Sequence, residues 1–414
     1  MKPPPGATRP ANRRGATTIV TAEGHPSAAP EVPEVPRVPE TVRAPEESGV
    51  SGAPEESGVS GAPEESGAPE AVDVVTLGES MVTFLPGRPG RLADVPCFER
   101  AIGGAESNVA CMLAAAGHTA RWVGRVGADG FGQHLVERIA GYGVDTSAVR
   151  TDPDRPTGIY FRTAADRATD AHEVAYYRAG SAASAMAVDT VDLTAARAGR
   201  VLHLSGITAA LSAPCLELMR ELTAPRPGRP LVSFDVNHRP ALWRGADGPR
   251  VLLELARRAD IVFVGDDEAR DAWDLHGARA VLAALPEPAV VVVKQGGGGA
   301  TVFTRDTRAA QDADATATFV RPPAVDVVAH IGAGDAFAAG FLSATLRGLP
   351  VRDRLRHGHL FAAAALTTPG DLAAPPARGH ADRLAALDDH AWGTLRLGPG
   401  WTQAEQAEQE ANTP

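Results

Sequence analysis

Gly332-Ala333-Gly334-Asp335 places one carboxylate directly behind three small residues, at the start of a helical pattern. Phe337, Phe341, Ala344 and Thr345 follow at i, i+4, i+7 and i+8, the spacing of one helical face. Gly348 and then Pro350 mark the end of that helix. The first N–H groups of a helix have no partner within it, so they present partial positive charge to an anion. Small residues let a phosphate approach that backbone closely. A carboxylate beside such a nest can take the proton of a substrate hydroxyl while the nest holds a phosphoryl group. The same residues also read as a Gly-rich turn with Asp335 as an ordinary N-cap. A second helix start, Gly103-Gly104-Ala105-Glu106-Ser107-Asn108, lies far upstream. Its glycines permit close approach to a ligand, and Asn108 offers hydroxyls both a donor and an acceptor.

The elements that must position these motifs alternate between two kinds. Short β-rich runs stand at 72–77, 121–126, 201–204, 231–235, 260–264 and 289–294, with helical patterns at 106–116, 132–140, 214–222, 249–258 and 278–285 between them. Alternation of this kind predicts an α/β fold with a mostly parallel central sheet covered on both faces. Ligands of such sheets sit beyond the carboxyl ends of the strands. Two regions break the pattern: an extended Pro- and Gly-rich stretch at 81–98, and two strands at 157–163 and 173–178 joined by a polar loop. They read either as a small β-sheet lid, from about 81–100 and 157–180, or as an edge extension of the main sheet. A lid would exclude water from phosphoryl transfer.

Residues 1–70 are of another character, rich in Pro, Glu, Gly and Ser, with a nine-residue unit repeating from Ala44 and again from Ala53 and Ala62. Such a segment buries too little apolar surface to offset its chain entropy, so a disordered tail is expected. It also holds much of the chain's acidity: ten Glu against two Arg in 31–70 account for −8 of the net −11. The remainder is only mildly acidic, which argues against nucleic acid and leaves a nucleotide ligand open. The three cysteines, Cys97, Cys111 and Cys215, show neither disulfide nor zinc spacing. Neither a signal peptide nor a membrane span is evident, so a cytoplasmic protein without a membrane partner is expected. The folded domain is placed at 71–388, with a second tail at 389–414.

Gly103–Ala110, Gly124–Gly132 and Gly332–Phe341, in this order and spacing, resemble the ribokinase-like (PfkB) family of carbohydrate kinases over about residues 72–375. The resemblance implies a three-layer α/β/α sandwich with a lid, and phosphoryl transfer from ATP to a sugar hydroxyl. Asp335 matches the family's catalytic base, and Gly332, Ala333 and Gly334 match its anion hole. Gly103, Gly104 and Asn108 match the sugar side. Lys294, Gly296, Gly297 and Gly299 match the nucleotide-binding turn, which also reads as a tight hairpin; Asn237 is placed with ATP. Mg²⁺ is implied, held mainly by phosphates and water. A homodimer through the lid is a further implication of the family.

Tyr160, Tyr176 and Arg178, with the segment 235–243 that carries Arg239, look like those of 2-keto-3-deoxygluconate kinases. Either arginine suits a substrate carboxylate, which an Arg fork binds in a bidentate way. Thr83 stands where ribokinase-type members carry an acidic residue, which speaks against ribose or fructose. Fructokinases share part of the 235–239 segment, so fructokinase or another sugar kinase remains an alternative. Two positions depart from the family pattern. Ala329, with His330 and Ile331, replaces residues that contribute to a monovalent-cation site, so little K⁺ activation is expected. Gly265 replaces the Asn of a segment tied to the Mg²⁺ water shell, while Glu268 of that segment is retained. These losses also suggest a catalytically weakened sugar- or nucleotide-binding regulator, against which intact Asp335 argues.

Overall fold

The computed structural model describes residues 18–21, 71–88, 90–163, 173–243, 247–305 and 315–403; the nine-residue repeats lie outside the described residues. The apolar runs form one eight-stranded sheet in the order Thr316–Val320, Ala300–Thr304, Val290–Lys294, Ile261–Gly265, Leu231–Asp235, Gly199–Ser205, Val72–Leu77 and Ala120–Val123. From Ala120–Val123 through Val290–Lys294 every pair is parallel; the last two strands return antiparallel. Neighbouring residues on a strand face opposite ways. Val74, Val201 and Val292 therefore join one apolar cluster, with Phe341 of the helix Ala333–Leu346 and Leu360 of Val351–Leu366. Val75, Leu202 and Val291 join the other, with Leu218 of Ala213–Thr223 and Leu255 of Gly248–Arg257. Helices on both faces make the expected three-layer α/β/α arrangement. Phe263 meets Phe341 edge-on at 5.4 Å, tying the sheet to the helix that begins at the Gly332–Gly334 turn.

Three expectations change. The strand expected at 121–126 breaks after Val123, and Arg125–Gly127 pairs instead with Arg150–Asp152. A Cβ on the intervening Gly124 would lie 2.6 Å from the Trp122 ring, so the chain can turn there only without a side chain. The domain extends past residue 388: Asp389–Thr394 is helical and Arg396–Leu397 pairs with Ala324–Val325. Trp392 and Leu397 are buried, and the Arg356 guanidinium lies 4.6 Å over the Trp392 ring. Two well-spaced apolar anchors leave no periodicity to read. Finally, the backbone of Thr18–Thr21 forms a strand within the region expected to be an unstructured tail. Its four consecutive β-branched residues favour that conformation, which the composition of 1–70 as a whole conceals.

The lid is a sheet of its own, not an extension of the main one. Its strands lie in the order Thr18–Thr21, Glu173–Tyr177, Ile159–Arg162, Met81–Pro86 and Phe98–Gly103. Thr83, Tyr160 and Tyr176 are in register across it. Phe84, Phe161 and Ala175 occupy the next register positions, with Phe161 stacked on Phe84 at 4.6 Å. Among the described residues, no helix is long and apolar enough to cross a membrane.

Candidate active site

Two of the parallel strands end at Asp235 and Lys294, beside the start of the helix Ala333–Leu346. Gly332 caps that helix with φ 75°, a left-handed conformation suited to glycine. A Cβ there would lie 2.3 Å from the Asp371 carbonyl oxygen. Asp335 is therefore not the N-cap. It stands in the first turn, half-buried, and its Oδ2 accepts from Asn108 Nδ2 at 2.9 Å. This bond joins the two Gly-rich motifs, 227 residues apart in sequence. Asn108 Oδ1 is buried without a hydrogen-bond partner, an acceptor available to a substrate hydroxyl. Burial pushes the Asp335 carboxyl up to about 7, and the charge of Asp235 adds to this; the Asn108 amide, Lys294 and Arg239 pull it back. A carboxylate poised there suits a general base near neutral pH.

Beside it, Lys294 Nζ donates to Asp235 Oδ2 at 2.7 Å. The Cβ position of Gly334 lies 3.6 Å from the same Nζ, so the ammonium reaches the Gly332–Gly334 turn. Burial works against the Lys294 charge, but Asp235, Glu268 and Asp335 together outweigh it and the ammonium is held above its ordinary range. Arg239 does not pair with Asp235; its half-exposed guanidinium donates to the His238 carbonyl and, at 3.4 Å, to Glu268 Oε1. Asn237 has φ 40° and donates its N–H to Asp235 Oδ1 at 3.3 Å. The Gly-rich turn is indeed a hairpin between Val290–Lys294 and Ala300–Thr304, with Gly296 at φ 54° and Gly299 at φ 126°. A Cβ on Gly296 or Gly297 would meet nothing within 4 Å, so the turn faces open space. Glu268 Oε2 accepts from the Gly265 N–H at 2.8 Å, and Asp266 Oδ1 is buried without a partner. Carboxylate oxygens of this kind suit a hard divalent cation through its water shell. Among the described residues there is no cluster of three His, Cys, Asp or Glu that would cage a metal.

Gly103 closes the lid strand Phe98–Gly103 and has no room for a side chain. A Cβ on it would fall 2.2 Å from Tyr160 Oη and 2.5 Å from Asp371 Oδ2. Gly104 is equally confined, 2.5 Å from the Glu79 carbonyl oxygen. The Tyr160 and Tyr176 rings lie 5.4 Å apart, and the Arg178 guanidinium is 5.7 Å over the Tyr176 ring. Arg178 forms an ion pair with Glu79, whose other oxygen accepts from Ser181 Oγ at 2.8 Å. Four residues absent from the sequence reading of the site matter here: Glu79, Glu106, Arg162 and Asp371. Glu79, four residues before Thr83, is the acid that pairs with Arg178 beside the lid. Glu106 lies in the quoted Gly-Gly motif; it accepts from Ser205 and Thr208, and burial pushes its carboxyl up to about 6. His203, buried against Ser233, is driven down to about 3 by burial.

A hooded site at the carboxyl end of a doubly covered sheet, with a poised carboxylate in the first turn of a glycine-capped helix, defines a phosphotransferase acting on hydroxyl groups. Residues 72–378 match the pfkB family of carbohydrate kinases, and the chain belongs to that family. It is 32% identical over 322 residues to the 2-dehydro-3-deoxygluconokinase of Bacillus subtilis (strain 168), covering 76% of this chain and 95% of that protein. It is 30% identical to probable fructokinase-6, chloroplastic, of Arabidopsis thaliana, covering 71% of this chain and 76% of the relative. The crystal structure of a PfkB protein from Polaromonas sp. JS666 superposes with a TM-score of 0.65 at 34% identity, covering 75% of this chain and 99% of that one. The protein is an ATP-dependent sugar kinase.

Proposed function

We propose that the substrate is 2-keto-3-deoxygluconate (2-dehydro-3-deoxygluconate), phosphorylated by ATP to 2-keto-3-deoxy-6-phosphogluconate. The observation that carries the mechanism is the Asn108–Asp335 hydrogen bond at the start of the anion-hole helix. Asp335 takes the proton of the primary hydroxyl as the phosphoryl group arrives. The N–H groups of the Gly332–Gly334 turn hold the transferring oxygens, and Lys294 contributes positive charge beside them. The turn at Gly296, Gly297 and Gly299, with Asn237, binds ATP. Mg²⁺ neutralises the charge of the phosphates when bound, and Asp266 and Glu268 would hold its water shell.

Tyr160 and Tyr176 face the sugar, and Arg239 is the freer of the two candidate cations for the substrate carboxylate. The similarity to 2-dehydro-3-deoxygluconokinase supports the keto-acid. One observation favours a neutral sugar such as fructose instead: Arg178 is already neutralised by Glu79. ADP release with 2-keto-3-deoxygluconate, fructose, ribose and adenosine separates the two readings. The keto-acid is expected to show the highest kcat/KM; a higher value for fructose would transfer the assignment to fructokinase. The same assays in Na⁺ and K⁺ salts should agree, because Ala329 offers no side-chain oxygen. A several-fold rise in K⁺ would overturn that part.

A further inference from the structure

Asp371 touches three parts of the site at once. Its carboxylate accepts from Arg162 Nη2 at 2.7 Å and from Tyr160 Oη, both on the lid strand Ile159–Arg162. Its Oδ2 lies 2.5 Å from the Cβ position of Gly103, against the sugar-side turn. Its carbonyl oxygen lies 2.3 Å from the Cβ position of Gly332, against the anion-hole turn. Arg162 and Asp371 are both almost fully buried, with side-chain exposures of 5% and 4%. The segment leading to Asp371 also holds the residues just upstream of that turn, and the lid strand. The Leu366 carbonyl accepts from Val328 N at 2.7 Å and Ala329 N at 3.2 Å, and the Pro369 carbonyl accepts from Arg162 Nη2 at 3.2 Å. Residues 366–371 thus bracket the stretch that runs into Gly332.

We propose that Asp371 is a positioning residue that couples seating of the lid to the geometry of the anion-hole turn. Lifting the strand Ile159–Arg162 withdraws both donors from a buried carboxylate, a state strongly disfavoured unless Asp371 itself moves or is hydrated. Movement of Asp371 displaces the backbone against which Gly332 packs, where there is no free space to absorb it. The turn is therefore held in its phosphoryl-binding form only while the lid is down, which restrains transfer to water when no sugar has closed the site.

The inference rests on the sugar-kinase assignment but not on which sugar is used, so the test is made without substrate. Hydrogen exchange is followed at the amides of 328–336 in the full chain and in the variants Arg162→Met and Tyr160→Phe. Tyr160→Phe keeps the ring and removes only one donor, so it remains informative if Arg162→Met folds poorly. Coupling predicts that exchange at 328–336 accelerates by about fivefold or more in a variant whose change lies in the lid, while exchange in the distant strand Thr316–Val320 is unchanged. A merely structural role would loosen the lid strands alone. Unchanged exchange at 328–336 in Tyr160→Phe, together with faster exchange in the lid, would overturn the proposal whatever the substrate assays return.

Discussion

Replacing Asp335 by Asn lowers kcat by roughly 10²–10⁴-fold, the usual contribution of a positioned general base, and leaves KM for ATP near the wild-type value. Asn has the same shape and can still accept from Asn108 through its amide oxygen, so the geometry of the turn persists while the proton acceptor is gone. The same variant should melt at a higher temperature at pH 8. The Asp335 carboxyl is raised from 3.8 to about 7 in the folded chain, chiefly by burial. The folded state therefore binds the proton more tightly than the unfolded state does, and wild-type stability falls as pH rises from about 4 through 7. Above that window the full penalty of a desolvated carboxylate is present, and the neutral amide relieves it. Thermal melts at pH 8 and at pH 4 check the sign: the gain should be present at the higher pH and vanish at the lower. A kcat within a few-fold of wild type would remove Asp335 from the chemistry.

The second large effect is expected at Gly332. Ala at this position must adopt φ 75° and place its Cβ 2.3 Å from the Asp371 carbonyl oxygen. Left-handed backbone at a non-glycine residue costs on the order of 1–3 kcal/mol, and the collision forces the turn or its neighbour to move. Losing aligned anion-hole donors typically removes about 10²–10³-fold in kcat. The glycine two residues on provides the contrast. A Cβ on Gly334 would meet only Lys294 Nζ, at 3.6 Å, an ordinary contact. Gly334→Ala should therefore leave the melting temperature nearly unchanged where Gly332→Ala lowers it. Equal melting temperatures for the two variants would contradict this account of the turn.

Much of this was legible in the sequence because the physics is local. Val290–Lys294 and Ile261–Gly265 are unbroken apolar runs, as strands covered on both faces require. Gly332 and Gly103 mark positions where a side chain cannot fit, and both stand in short motifs with a polar partner nearby. What escaped the reading is held by distance. Asp371 meets Arg162 across 209 residues and Tyr160 across 211, and nothing around Asp371 in the chain distinguishes it from a turn residue. The lid expected from about 81–100 stops inside the strand Phe98–Gly103, because only the last two residues of that strand are buried, leaving too short an alternation to recognise. The partner of Lys294 could not be read either: the parallel register brings Lys294 to Asp235 from two strands away.

The central claim is that burial tunes Asp335 into a base at neutral pH, and the pH dependence of kcat/KM tests it most directly. The profile for the sugar turned over best should lose activity tenfold per pH unit below an inflection near 7, as Asp335 takes up its proton. Asn108→Leu removes the amide that favours the carboxylate, so its inflection should move to higher pH. A profile flat down to pH 5, or an inflection indifferent to Asn108, would contradict the account.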